Sequence, residues 1–306
     1  MATNPGSGII VPLVTPVNAD ESVNYDQLGK IIDHVVDGGA DAVFVCGSTG
    51  EFPRFAHETR DRLIAETVRL VARRVTVFAG VGDAGLALVK RNIAAAEKAG
   101  ADVLVVPLPY YYPARTDREA QSFFKAAAAA ASLPVMLYNI PGTCGAGIGL
   151  NVAEQLAGVD NIVGIKDSSG DLPRLLESIR RLKGRRKEFA VVVGAEELCH
   201  EGLKNGADGV VPSMANPFPR LFAEMYRAAL AHDDGRLREI CSLVDAMNRE
   251  NNFSDSWLTA VVWRKKAMSH MNLCDERCTE PHIPVDAEAD ANVAKCVERY
   301  RRMFPR

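Results

Sequence analysis

Gly100-Ala101-Asp102-Val103-Leu104-Val105-Val106 joins the end of an amphipathic segment to a short apolar run rich in valine. Glycine at such a joint reaches the left-handed conformation that ends a helix at little steric cost. The run that follows shows no polar alternation, the pattern of a parallel strand covered on both faces. The same triplet recurs as Gly39-Ala40-Asp41 and Gly206-Ala207-Asp208, each closing a helical segment and opening a strand. Worked outward from these joints, strands are expected over 8–14, 42–46, 75–81, 103–106, 135–139, 162–166, 189–193 and 209–212. Helical patterns such as 25–36, 57–72 and 217–230 lie between them. Eight strands, each followed by a helix, is the count of a (β/α)8 barrel. The three joints then belong to its stability face and carry no chemistry. Past about residue 232 the strands stop, and 235–250, 256–270 and 287–303 read as further helices packed outside. The expected fold is an α/β (β/α)8 TIM barrel over 1–232, with a C-terminal helical extension over 233–306 packed on it.

The 306 residues are 47% hydrophobic and 25% charged, an ordinary globular composition, with a net charge of −3. That balance gives no electrostatic case for nucleic acid or an anionic membrane. The densest basic run (Arg180, Arg181, Lys183, Arg185, Arg186, Lys187) falls where a helix should end and reads as solvated surface. Seven scattered cysteines, without a signal-peptide pattern, suit free thiols in a reducing cytoplasm better than a disulfide framework. The longest small apolar run, 126–131, is far too short to span a bilayer. A soluble, cytoplasmic protein is expected.

In a barrel of this kind, chemistry sits at the C-terminal ends of the strands. None of the six histidines falls there; His57, His200 and His232 read as helical or helix-flanking, which argues against a Ser-His-Asp triad. Lys166 does, closing Asn161-Ile-Val-Gly-Ile-Lys166. An amine at the mouth of a buried strand loses hydration, which disfavours its cation, and a neutral amine can attack a ketone to form a Schiff base. The plainer reading is a lysine paired with its neighbour Asp167. Tyr138 ends the preceding strand, Val135-Met-Leu-Tyr138-Asn139, so its phenol is expected in the same mouth. It could move protons there or simply pack. Gly47-Ser48-Thr49-Gly50-Glu51 follows the second strand and can turn backbone N–H groups toward a carboxylate, although the same residues also make any tight turn.

Two further patterns are weighed and set aside. Gly80-Val-Gly82-Asp-Ala-Gly85 is a literal G-x-G-x-x-G between a strand and a helix. A dinucleotide site wants an acid after the next strand, and Asp102 precedes it. His270, Cys274, Cys278 and His282 offer four possible zinc ligands, but in the helical tail and at spacings that match none of the usual structural sites.

Taken together, these strand ends resemble the N-acetylneuraminate lyase and dihydrodipicolinate synthase family of class I aldolases. The match is carried by Gly47-Ser48-Thr49-Gly50-Glu51, Pro109-Tyr110-Tyr111-Tyr112-Pro113, Tyr138-Asn139-Ile140-Pro141, Gly164-Ile165-Lys166-Asp167 and Gly206-Ala207-Asp208-Gly209, in order, over residues 8 to 300. The resemblance implies that Lys166 is the Schiff-base lysine and Tyr138 the proton shuttle. Ser48 and Thr49 would present N–H groups to the carboxylate of pyruvate, and Ser48 and Tyr111 would complete a hydroxyl relay. The tyrosine matching Tyr111 is usually contributed across a dimer interface in this family, and tetramers are common, so a homo-oligomer is expected. Ser48 replaces a threonine typical of the synthases, and the hydroxyl survives. Gly209 is counted among the substrate-binding positions. No metal and no organic cofactor are implied; the partners are pyruvate and a small aldehyde or 2-keto acid.

Substrate choice turns on Thr143. The synthases typically carry an arginine there that grips the second substrate's carboxylate, and threonine cannot supply a charged, bidentate clamp. Arg115, which follows the Tyr-Tyr-Tyr-Pro run, is the substitute the sequence offers. Glu196 and Glu197 fall where sialic acid lyases bind substrate hydroxyls, though acids also suit a helix N-terminus. The expectation is an aldolase or lyase acting on a 2-keto-3-deoxy sugar acid. The alternatives are dihydrodipicolinate (4-hydroxy-tetrahydrodipicolinate) synthase, a Schiff-base dehydratase, and, outside catalysis, a keto-acid sensor.

Overall fold

The Gly-Ala-Asp joints do turn the chain from helix to strand: Gly39, Gly100 and Gly206 take φ of 94°, 86° and 93°. The aspartate of each joint does something the sequence did not reveal. Asp41, Asp102 and Asp208 each donate their N–H to a carbonyl of a neighbouring strand: Ile9, Val77 and Val191, each at 2.9 Å. The carboxylate then accepts the N–H of that same residue at 2.8 Å. Each aspartate therefore satisfies a backbone donor that would otherwise be left open at the bottom of the barrel.

The computed structural model describes residues 4–250 and 257–304. Its strands are β1 (Gly8–Pro12), β2 (Ala42–Val45), β3 (Thr76–Gly80), β4 (Val103–Pro107), β5 (Val135–Asn139), β6 (Ile162–Asp167), β7 (Ala190–Val193) and β8 (Gly209–Val210). They pair in parallel and in sequence order around a closed barrel. β8 is shorter than the expected 209–212 because Pro212 leads into a 3-10 turn over Ser213–Ala215. The register matters for the site: Pro107 stands opposite Tyr138, Tyr138 opposite Lys166 and Lys166 opposite Val192. Neighbouring strands lie about 4.8 Å apart, so Tyr138 and Lys166 are adjacent by construction.

Of the three glycines in the G-x-G-x-x-G pattern, the first two serve packing, while a Cβ on Gly85 would meet nothing within 4 Å. A Cβ on Gly80 would come within 2.0 Å of the Cys46 carbonyl oxygen, and one on Gly82 within 2.5 Å of Pro107. Asp102, the residue weighed for a ribose, is occupied at the opposite end of the barrel by the Val77 N–H. The basic run is more engaged than a solvated surface. Arg181 pairs with Glu154, Lys183 with Asp208 at 2.8 Å, and Arg186 donates to the carbonyls of Ala157 and Val159.

Beyond the barrel, helices span Asp234–Glu250, Trp257–His270 and Ala287–Met303. Ser256, the expected start of the second, lies outside the described residues. The ring of Phe218, just after β8, packs against Trp263 at 5.9 Å and Tyr300 at 4.8 Å, fastening two of these helices to the barrel. All seven cysteines are buried free thiols, and burial pushes Cys46, Cys274 and Cys278 up to about 12. His270 is turned toward Asp290 at 2.6 Å, and no group of His, Cys, Asp or Glu is arranged to hold a metal among the described residues. Nor, among them, is any helix long and apolar enough to cross a membrane.

The joint at Asp208 closes the barrel, since its carboxylate also accepts from Asn4 at 3.0 Å and from Lys183. Asp208→Ala should lower stability by about 1–3 kcal/mol, the cost of a partly buried donor left unmet. It should appear as a lower urea midpoint at unchanged slope. A midpoint equal to the parent's would show that water replaces the carboxylate.

Candidate active site

Side chains alternate along a strand, so of two consecutive residues at the end of β6 one faces into the barrel and the other out. Lys166 faces in. It is 5% exposed, with its Nζ 4.1 Å from the Tyr138 ring centroid and 5.0 Å from that of Phe44. Asp167 faces out. Its carboxylate is filled by Asn139 at 3.0 Å, Arg174 at 3.0 Å, and the N–H and hydroxyl of Ser169 at 2.8 and 2.5 Å. The Lys166–Asp167 pair does not form, and among the described residues Lys166 enters no ion pair. Asn139 completes the outer network by accepting the Ile148 N–H at 2.8 Å.

The Tyr138 hydroxyl lies 3.5 Å from the Ser48 hydroxyl. Ser48 opens a 3-10 turn over Ser48–Gly50, and Gly47 before it has no side chain to cap the turn. The first N–H groups of this turn are thus left for another acceptor. The turn ends at Glu51, which adopts the left-handed conformation at φ 58°. Glu51 is held there by a residue far along the chain. Lys265, 0% exposed, donates to its carboxylate at 2.6 Å and to the Arg277 carbonyl at 2.8 Å. Thr279 adds its N–H at 2.8 Å and its hydroxyl at 2.6 Å.

Two cavities flank Tyr138. The larger, about 540 Å³, is lined by Ser48, Thr49, Tyr138, Lys166, Ser168 and Ser169 on one side, and by Glu196, Glu197, Ser213 and Arg264 on the other. The smaller, about 230 Å³, is bounded by Ser48, Phe52, Tyr110, Tyr138, Thr143 and Cys144. Thr143 therefore faces the second cavity, its hydroxyl 3.4 Å from the Ile140 carbonyl. Burial raises the Cys144 thiol and the Tyr110 phenol, with Asp83 adding to the latter. Burial would also raise Asp83, but hydrogen bonds from His57, Ala84 N–H and Asn92 and the nearby Arg60 charge hold it below the usual carboxylate range. His57 heads its helix on this C-terminal side of the barrel and bonds Asp83 at 2.9 Å, away from Lys166.

Several expected site residues stand elsewhere or are already engaged. Tyr111 and Tyr112 are 73% and 79% exposed and stack edge to face on each other, so within one chain Tyr111 reaches neither Ser48 nor Tyr138. Glu196 is already bound, by Ser213 at 2.6 Å, Met214 N–H at 2.8 Å and Arg264 at 3.1 Å; Glu197 is the exposed acid of the pair. Gly209 lines neither cavity. It pairs with Gly8 where the barrel closes, and a Cβ there would come within 2.5 Å of the Gly8 carbonyl oxygen. Arg115 is exposed, its backbone tied to Glu119. Arg54 lines the smaller cavity, and the arginine that lines the Lys166 cavity is Arg264, from the helix Trp257–His270, where the sequence pattern offered no strand end to point to it.

The model of the Dihydrodipicolinate synthetase family matches residues 5–300. The chain belongs to that family. Members of the dihydrodipicolinate synthetase family are pyruvate-dependent class I aldolases that work through a Schiff base, and the protein is a carbon–carbon lyase of this kind. The 4-hydroxy-tetrahydrodipicolinate synthase of Neisseria gonorrhoeae is 35% identical over 291 residues, 94% of this chain and 96% of that protein. Among solved structures, dihydrodipicolinate synthase from Aquifex aeolicus matches with a TM-score of 0.89 at 30% identity, covering 96% of this chain and 98% of the other. YagE, a prophage protein of the family from E. coli K12 solved in complex with pyruvate, gives a TM-score of 0.90 at 26% identity, with the same coverage of 96% and 98%.

In this family member the buried Glu51–Lys265 pair ties the turn beside the Lys166 cavity to the C-terminal helices. Lys265→Met should cost about 3–5 kcal/mol, because it leaves the Glu51 carboxylate buried and uncompensated. Adding Glu51→Gln should recover much of that loss, since an amide oxygen still accepts from Thr279 without a charge. Chemical denaturation of the parent, single and double variants measures both. A single-variant cost under about 1 kcal/mol would mean that water reaches the carboxylate.

Proposed function

We propose that the enzyme forms or cleaves the carbon–carbon bond of a 2-keto-3-deoxy sugar acid, with Lys166 as the Schiff-base lysine. The observation that carries this reading is a buried lysine, in no ion pair among the described residues, set over the ring of a tyrosine whose hydroxyl meets a hydroxyl-bearing turn in the same cavity. The Lys166 amine adds to the keto carbon of pyruvate, and Tyr138 supplies the proton that lets the carbinolamine hydroxyl leave as water. The protonated imine acidifies the methyl group; Tyr138, relayed through Ser48, takes a proton and leaves an enamine. The enamine carbon attacks the aldehyde, whose oxygen takes up the proton, and water then hydrolyses the imine to free Lys166 and the longer 2-keto acid. Cleavage runs the same steps backward. The imine is the electron sink, so the reaction calls for no metal and no organic cofactor. The Ser48 and Thr49 N–H groups are the carboxylate cradle of this reading.

For the sugar-acid substrate, support comes from Thr143, which brings no charge, and from Glu197, an exposed acid on the rim of the Lys166 cavity. The relatives named 4-hydroxy-tetrahydrodipicolinate synthase favour the second reading, condensation with aspartate semialdehyde, and direct assay separates the two. The exposed Tyr111 supports assembly into a dimer or tetramer, in which a second copy would insert it beside Ser48 and Tyr138. The cytoplasm is the compartment that suits seven buried free thiols.

Borohydride added with pyruvate should inactivate the enzyme and leave a reduced three-carbon adduct on Lys166 by peptide mass spectrometry. An unmodified Lys166 at saturating pyruvate would favour a keto-acid sensor instead. Tyr138→Phe should lower turnover by roughly 10²- to 10⁴-fold, the scale of lost general acid–base help, with circular dichroism unchanged. Near-parental turnover would reduce Tyr138 to a packing residue.

A further inference from the structure

On the aldolase reading above, we propose that Arg264 determines substrate specificity, its guanidinium gripping two neighbouring hydroxyls of an uncharged aldehyde fragment. Arg264 is 5% exposed and lines the same cavity as Lys166, on the wall formed by the turns after β7 and β8. One edge of its guanidinium is fixed: Nε donates to the Ser213 hydroxyl at 3.0 Å and Nη2 to Glu196 Oε2 at 3.1 Å. Nη1 donates to the Ala260 carbonyl of its own helix at 3.2 Å. An arginine carries five N–H groups in a rigid fork, so two have no partner among the described residues, one on each terminal nitrogen. They form the outer tine pair of a group that cannot rotate, because Glu196 is itself pinned by the Ser213 hydroxyl and the Met214 N–H.

Charge decides what that fork takes. Glu196 already offsets the guanidinium, and Glu197 adds a second carboxylate to the same cavity lining. A substrate carboxylate there would be a third anion on a wall where Arg264 is the cation that meets it. A pair of adjacent hydroxyls meets no such opposition: their oxygens accept the two free N–H groups, and their hydrogens can be given to Glu197. A site built to hydrogen-bond hydroxyls discriminates strongly against an analogue that lacks them, since its buried donors are then left unmet. The fragment that joins or leaves pyruvate is therefore a short polyhydroxy aldehyde, without a second acid group.

The test compares condensation of pyruvate with glyceraldehyde, with propanal and with succinic semialdehyde: two hydroxyls, none, and a carboxylate. The parent should prefer glyceraldehyde. Arg264→Met should lower kcat/KM for glyceraldehyde by roughly 10- to 100-fold and change propanal by no more than about twofold, collapsing the preference. Arg264→Lys keeps a cation against Glu196 but lacks the fork, and it should lose most of the same preference while preserving that wall. Borohydride trapping of pyruvate on Lys166 should be undiminished in both variants, which separates the specificity assignment from the aldolase reading. A glyceraldehyde-to-propanal ratio unchanged in both variants would overturn the assignment. So would a parent that prefers succinic semialdehyde and loses that preference in Arg264→Met. Failure of trapping in the parent would overturn the aldolase reading, and the assignment with it.

Discussion

A carboxylate and an ammonium sealed from water stand at the centre of this architecture. Taking Glu51 and Lys265 out of solvent carries a desolvation cost of several kcal/mol per ion, and only close contact with full hydrogen bonding offsets it. Both conditions are met, by the 2.6 Å contact and by Thr279 and the Arg277 carbonyl. The pair fixes the end of the turn that begins at Ser48. It also fixes the helix Trp257–His270 across the mouth of the barrel, so that Arg264, the residue beside Lys265, lands on the opposite wall. One ion pair thus sets the distance between the two sides of the cavity.

The end of β6 depends on a second constraint, the alternation of side chains along a strand. Lys166 and Asp167 are covalent neighbours, yet the pleat sends them to opposite faces. Had the carboxylate reached the amine, its hydrogen bonds would turn the nitrogen away from the cavity. Instead Asn139, Ser169 and Arg174 consume Asp167 outside the barrel, and the aromatic faces of Tyr138 and Phe44 surround the amine inside it. The outer network also ties β5 to β6, the strands that carry the two residues assigned to proton transfer and covalent chemistry.

Local pattern made the barrel readable. Eight apolar runs separated by helical segments, with glycine at three helix ends, place every strand to within a residue or two, and the position of Lys166 follows from them. What the pattern hides is contact between distant residues. Glu51 and Lys265 are 214 positions apart, and nothing in either neighbourhood marks a partner. Arg264 comes from a helix after the last strand, so a search confined to strand ends passes it by. Glu196 looked free for substrate because its partners Ser213 and Arg264 lie on other elements. Gly209 carried a motif, but its need for glycine comes from β1 pressing against β8. The first two glycines of the G-x-G-x-x-G run answer crowding around Cys46 and Pro107, where small residues are required whatever the loop binds.

The division of the cavity between barrel and extension has an evolutionary consequence. On the proposed reading, the covalent step rests on residues whose strands are locked on both sides by their neighbours, where almost any change disturbs packing. The far wall is furnished in part by a helix that meets the barrel through a few side chains. Drift in that helix can retune which aldehyde is accepted while the electron-sink chemistry stays intact. Such a scaffold separates inheritance of mechanism from inheritance of taste, and paralogues with one reaction and many substrates are its natural outcome.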